Sequence, residues 1–412
     1  MPRLRVLLLL LIVTPSGFAE DWMEFRGPTG QGHYPGKGLP IEWSPTKNVA
    51  WKQAIPGKGW SSPIIHQGKI YLTSAEPQAG SKDQSLVALC LDAETGKILW
   101  KTEVFRQDGA KAPKIHNKNS HASPTPITDG QRVYVHFGHQ GTAALDFAGN
   151  VLWRSTEHRY GPVHGNGGSP ILVDGRLVYS ADGGSTQFVI ALDAATGKTA
   201  WKTPRKSTAP KKFSFSTPLA IDVAGKKLIV SPGSDAVVAY DAATGAEVWR
   251  AGYEGYSVIP RPVFGHGMVF LSSSYDSPSM LAVRVDGKGD VTKSHIAWTL
   301  SKGAPHTASM LLIGEELYAI SDNGLASCID ARTGKAHWQE RIGGAYSASP
   351  LHADGKIYFQ SEQGETTVVR AAKTFEKLAA SDMKERTFAS FAVADSAIYL
   401  RTETQLYRIQ AK

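Results

Sequence analysis

At 412 residues the chain is long enough for one large domain or for two to three ordinary ones, and its 42% hydrophobic content lets it bury a large core. The net charge of +8 is a mild excess. It bears on solubility and on loose attraction to anionic partners, and it is no nucleic-acid signature.

The first stretch reads as an export signal. Arg3 and Arg5 give a positive start, and Val6 to Val13 is an apolar run too short to span a bilayer. Gly17-Phe18-Ala19 offers small residues for a signal peptidase. Cleavage is placed near Ala19, which leaves an exported chain, periplasmic or secreted; an uncleaved anchor is the alternative. Losing residues 1–19 removes two arginines and no acid, so the charge falls from +8 to +6. No other stretch is apolar enough to cross a membrane, and no Cys near the cleavage point suggests a lipid anchor.

Residues 20–48 read as an irregular arm packed on the domain. For the Gly-rich part from Gly27 to Gly38, a disordered linker is the competing reading.

Residues 49–412 read as one repeat domain. Val49-Ala50-Trp51-Lys52 is a short strand with no partner of its own. Ser62-Pro63-Ile64-Ile65, Lys69 to Leu72, Leu86 to Leu91 and Ile98 to Thr102 follow as four strands with hairpin turns. The phrase then recurs, from Ala122-Ser123-Pro124 to Trp153, Gly168-Ser169-Pro170 to Trp201, and Ser216-Thr217-Pro218 to Trp249. It continues from Ile259-Pro260 to Trp298, Ala308-Ser309 to Trp338, and Ala348-Ser349-Pro350 to Leu378, where the tryptophan is missing. The last unit, Phe388 to Ile409, has three strands only. The orphan strand at Trp51 supplies its fourth. This predicts an all-β, eight-bladed β-propeller of four-stranded antiparallel blades, closed by strands from both chain ends. Seven blades is the alternative count.

Four units carry one turn: Asp92 to Lys97 before Trp100, Asp193 to Lys198 before Trp201, Asp241 to Gly245 before Trp249, and Asp330 to Lys335 before Trp338. A structural docking role is expected for Trp51, Trp100, Trp153, Trp201, Trp249, Trp298 and Trp338. Each indole should lie on the next blade, where Ala144, Ala191, Ala239, Cys90 and Cys328 leave room. The two cysteines occupy one slot in different blades, so no disulfide is expected.

The motif Ala-x-Asp-x-x-Thr-Gly-Lys-x-x-Trp, clearest at Ala191 to Trp201, resembles the docking motif of the pyrroloquinoline-quinone-type (quinoprotein-like) β-propeller repeats. The resemblance covers Val49 to the C-terminus. That family includes quinone-dependent alcohol and glucose dehydrogenases. It also includes cofactor-free members such as the propeller lipoprotein of the outer-membrane β-barrel assembly machinery. The size and blade count look more like this BamB-like, non-enzymatic branch. The chain departs from the dehydrogenases in having no adjacent Cys pair and no matching calcium-ligand insertion. It departs from the lipoprotein in lacking a lipidated Cys. The resemblance therefore implies a binding or scaffold module for a protein or envelope component, monomeric, with no catalytic residue, cofactor or metal. The alternatives are an oxidoreductase using pyrroloquinoline quinone (PQQ) and calcium, and a protein that binds or degrades polysaccharide.

In a propeller the connections from outer strand to next inner strand gather on one face, with the Thr-Gly turns on the other. Two of these entry loops are basic, with Lys111, Lys114 and Lys118 in one and Lys206, Lys211 and Lys212 in the other. They suit an acidic partner, an anionic glycan or lipid headgroups, or simply a solvated surface. At the channel mouth the expected residues are Trp60, His121, Asn166, Phe215, Arg261, His306 and Tyr346. They read either as a ligand-facing mouth or as packing. His136 and His139 point to opposite faces and make a poor metal pair. The Gly-rich loop Tyr160 to Gly168 precedes a strand, so it reads as a tight turn and not a phosphate cradle. Asp182-Gly183-Gly184 has no neighbouring acids at calcium-loop spacing.

Overall fold

The structure is a computed structural model that describes residues 21–411; the expected export signal lies outside these residues. The strands form eight sheets. Blade 1 comprises Ile64–His66, Lys69–Pro77, Gln84–Asp92 and Ile98–Gln107, each antiparallel to the one before. Blades 2 to 7 repeat this order and begin at Ile127, Ile171, Leu219, Val263, Leu311 and Leu351. Blade 8 takes three strands from Ala392–Ala394, Ala397–Arg401 and Gln405–Gln410. Its outer strand is Val49–Ala54, in register Val49 with Ile409 and Ala54 with Gln405. Both chain ends therefore close the ring at blade 8. Blade 2 begins later than its sequence phrase suggests: the residue before its inner strand is Thr125-Pro126, not Ser123-Pro124.

Burial explains the composition of each strand. Third strands such as Gln84–Asp92 are covered on both faces by neighbouring blades and read as unbroken apolar runs. Outer strands such as Val49–Ala54 alternate between half-buried and exposed positions. The core consists of layers between blades: Ile64, Leu86 and Cys90 of blade 1 pack with Val133, Val135 and Leu145 of blade 2.

The tryptophans join these layers at the rim. The Trp153 indole donates to the Ala194 carbonyl (3.1 Å), and Trp201 does the same to Ala242 (3.1 Å). Trp51, Trp100, Trp298 and Trp338 reach Ala93, Phe147, Ala331 and Ala372 in the same way. Room for the indole comes from the glycine of the receiving turn, not from the small residues expected above. Gly197 has φ +72°, and a Cβ there would sit 2.5 Å from Trp153. Ala144, Ala191, Ala239, Cys90 and Cys328 instead pair across their own blade with its tryptophan. Trp249 differs. Blade 5 offers an irregular turn in which Gly289–Asp290 pairs in parallel with Trp249–Arg250, and the buried indole N–H has no partner. Both cysteines are free and buried.

The arm is packed along its length, including the Gly-rich part. Trp22 bridges to Ile65 of blade 1, and His33–Tyr34 pairs in parallel with His352–Ala353 of blade 7. Trp43 packs against Tyr358 of blade 7 and Phe391 of blade 8. Among the described residues, no helix is long and apolar enough to cross a membrane.

Candidate functional site

The arm contacts the ends of the inner strands, beside the hairpin turns that follow them. The Thr-Gly turns lie on that same face: Ala93 N–H bonds to the Gly68 carbonyl and Ala194 N–H to that of Gly175, both 2.9 Å. In between, the arm passes under the channel, and Phe25 lines the cavity inside it. Arg261 holds this crossing. Its guanidinium bonds the Phe25 carbonyl (2.7 Å) and the Glu24 carboxylate (2.9 Å). The result is a cavity of about 350 Å³ floored by the arm, its wall built from the residues that enter each inner strand.

The wall is a ring of hydroxyls. The residue entering each inner strand is Ser62, Thr125, Ser169, Thr217, Arg261, Ser309, Ser349 or Ser390. Each backbone N–H except that of Thr217 donates to the hydroxyl of the next blade. The distances are 3.0 Å for Ser62 to Thr125, 2.9 Å for Thr125 to Ser169 and 2.9 Å for Ser169 to Thr217. They are 2.9 Å for Arg261 to Ser309, 3.1 Å for Ser309 to Ser349, 2.9 Å for Ser349 to Ser390 and 3.1 Å for Ser390 back to Ser62. The break falls at Arg261, which has no hydroxyl and turns its side chain to the arm. All the hydroxyl members line the cavity. Their oxygens accept backbone protons, and among the described residues their own O–H groups meet no protein acceptor.

Above the ring lies an arc of rings in edge and stacked contact. It runs from His116 to His164 (5.9 Å between centroids), Phe213 (5.4 Å), Tyr256 (5.7 Å), Tyr275 (6.2 Å) and His306 (5.1 Å). On the other side Trp60 meets Phe388 edge-on at 4.8 Å. Lys118, from the loop between blades 1 and 2, reaches across to Glu362 of blade 7 at 2.7 Å. Glu362 also accepts from the Ser347 hydroxyl (2.6 Å). Asp322 of blade 6 is tied down by the N–H groups of His306 and Thr307. The charges at the mouth are thus internally paired, and no carboxylate of the described residues lines the cavity.

Of the seven expected mouth residues, Trp60 and Phe215 line the cavity. His306 stands behind Tyr275, stacked on it. Asn166 is buried against Tyr160 and His139, and Tyr346 is buried with its carbonyl accepting from Thr307. His121 is half-buried away from the cavity, its Nδ1 without a partner and its pKa lowered by burial. Arg261 faces the arm. The hydroxyl ring is absent from the sequence expectation, although its signal is the Ser/Thr-Pro phrase that starts most blades. His136 is buried against Thr142, with a pKa held down at about 3 by burial and then by His139. No group of three or more metal-ligating side chains occurs among the described residues. Asp182 is a structural acid, paired with buried Arg205 at 2.7 Å. Burial drives the Cys90 and Cys328 thiols up to about 12 and 11, which leaves them inert.

Eight four-stranded blades with tryptophan-capped turns define a PQQ-like β-propeller repeat protein. The model of the family described as outer membrane protein assembly factor BamB matches residues 81–187 and 185–412, and the chain belongs to that family. Among solved structures, BamB from Moraxella catarrhalis is similar with a TM-score of 0.62 and 14% identity, over 88% of this chain and 97% of that one. Quinohemoprotein alcohol dehydrogenase from Comamonas testosteroni has a TM-score of 0.67 and 12% identity, over 95% of this chain and 81% of that one. The computationally designed Ika8 protein has a TM-score of 0.63 and 12% identity, over 87% and 98%. At such identities the likeness is one of fold. No curated protein matches the chain.

Proposed function

We propose that this protein is an exported, monomeric binding module for a protein or envelope component, and that the entry face with its central cavity is the binding surface. The observation that carries this is the blind cavity, ringed by aromatic side chains on a closed scaffold. Family membership supports a scaffold role, since the matching family description is that of an outer-membrane assembly factor. The basic loops, with Lys111, Lys114 and Lys206 exposed, add a surface for acidic partners.

The cofactor-free reading is supported by the donor set. Calcium calls for carboxylate oxygens, and Glu362 beside the cavity is committed to Lys118 and Ser347 instead. The two cysteines sit in blades 1 and 6. The dehydrogenase rival keeps the neighbour of similar fold. It is tested by adding the quinone with calcium and an artificial electron acceptor; acceptor reduction would establish it and displace the scaffold reading. The main test is retention of envelope components by the wild type and by Trp60→Ala/Phe215→Ala. Retention that the double variant loses is expected. An extract from which the wild type retains nothing would overturn the proposal.

A further inference from the structure

We infer that the cavity accepts the end of a saccharide chain, one or two hexose units inserted along the propeller axis. The inference rests on the binding-module reading and names the class of ligand for the same site.

Three features select that chemistry. First, the hydroxyl ring presents O–H donors from seven blades to one small space. Each oxygen already accepts one backbone N–H, so what remains at each is its O–H donor and one lone pair. Donors without protein acceptors suit a ligand dense in oxygen acceptors at many angles. Second, aromatic side chains stand over the ring. Trp60, Phe215 and Tyr275 line the cavity, and Tyr275 is 39% exposed. The Trp60 indole N–H meets no acceptor among the described residues. A pyranose has both an apolar C–H face for a ring and an equator of hydroxyls and ether oxygens. Third, the lining is neutral in sum, because its one ammonium, Lys118, is held by Glu362 at 2.7 Å. A small ion of either sign finds no free countercharge there, and an aromatic cage for a cation would lack its acid.

Size and access fit as well. A cavity of about 350 Å³ lies at the small end of small-molecule sites, and the arm closes its far end at Phe25. A chain must therefore enter end-on from the entry face, past the Lys118 bridge. Asn119 and His116, which brace that loop against the His164 carbonyl at 2.9 and 3.0 Å, place polar groups where a second unit would emerge.

The test is a glycan array spanning neutral, N-acetylated and acidic hexose oligomers, followed by calorimetry on the purified full-length protein. Variants are Trp60→Ala, Phe215→Ala and, as a rim control, Leu152→Ser, each checked for an unchanged melting profile. Binding of at least one oligomer class is expected, weakened about tenfold or more by either cavity variant and unaffected by the rim variant. Tryptophan fluorescence should shift on binding in the wild type and lose most of that shift in Trp60→Phe. Binding that survives both cavity variants would place the sugar elsewhere and overturn the inference. So would silence across the array. If the array is silent while envelope components are still retained through Trp60, the occupant is a peptide. The saccharide is then lost and the binding-module reading stands. If nothing is retained either, both fall.

Discussion

The repeated turn shows how one residue sets a blade junction. In Asp193 to Lys198, the carboxylate accepts from the Thr196 N–H (2.8 Å) and hydroxyl (2.7 Å). Gly197 then takes a positive φ and lies under the neighbouring indole. A side chain at Gly197 would strain the backbone and displace Trp153 together. Gly197→Ala should therefore cost about 2–3 kcal/mol, read as a lower denaturation midpoint at unchanged slope. The same turns make the fold acid-sensitive. The Lys69 ammonium holds the Asp92 carboxyl down at about 2, and Thr196 and Thr333 lower Asp193 and Asp330. A carboxylate depressed in the folded state stabilises above its unfolded value and loses that contribution as pH falls through the folded one. The melting temperature should thus drop between about pH 4 and pH 2, and less steeply in Asp92→Asn. These residues were legible from the sequence because the turn repeats. The identity of their indole acceptors was not, because a small residue opposite the tryptophan and a glycine beneath it look alike on a linear chain.

The arm is the element whose role was least visible. Its glycines read equally well as a linker, since nothing local in Gly27 to Gly38 reports the long-range partners that order it. Those partners are single side chains. Arg261, 2% exposed, pairs with Glu24, and breaking a buried pair from one side typically costs about 3–5 kcal/mol. Arg261→Ser would complete the hydroxyl ring and still destabilise, because Glu24 loses its partner. We expect the arm to become the first site of proteolytic cleavage in that variant; an arm as resistant as in the wild type would show that Arg261 does not hold it. A second latch is the His33–His352 pair, with Nδ1 atoms 3.1 Å apart. Burial, then His352 and Arg26, hold the His33 imidazole down at about 4; on His352, burial lowers and Asp354 raises. An imidazole depressed in the folded state favours folding at neutral pH and loses that advantage as pH falls from about 6.5 toward 4. Hydrogen exchange in the arm should rise over that window, ahead of the blades. His33→Gln should flatten the rise.

At the scale of the whole molecule, the fold was readable and the site was not. A unit one strand short at the C-terminus and a strand without a unit at the N-terminus imply closure whatever the details of packing. The cavity has no such signature. Its wall takes one residue from each blade, and only the curvature of the ring reveals that Ser62 and Ser390 are neighbours. Closure itself can be tested by where the chain starts. A form beginning at Val49 lacks the arm and keeps the eighth blade whole. A form beginning at Ile55 also loses Val49–Ala54, which exposes the edge of Gln405–Gln410 and removes Trp51 from Gly96. If closure supplies cooperativity, the first form should stay monomeric and melt in one transition below the wild type. The second should melt broadly and self-associate through its open edge. Calorimetry and size-exclusion chromatography at several concentrations separate the two. Equal melting and equal elution of both forms would mean that the propeller does not depend on the strand joining its ends.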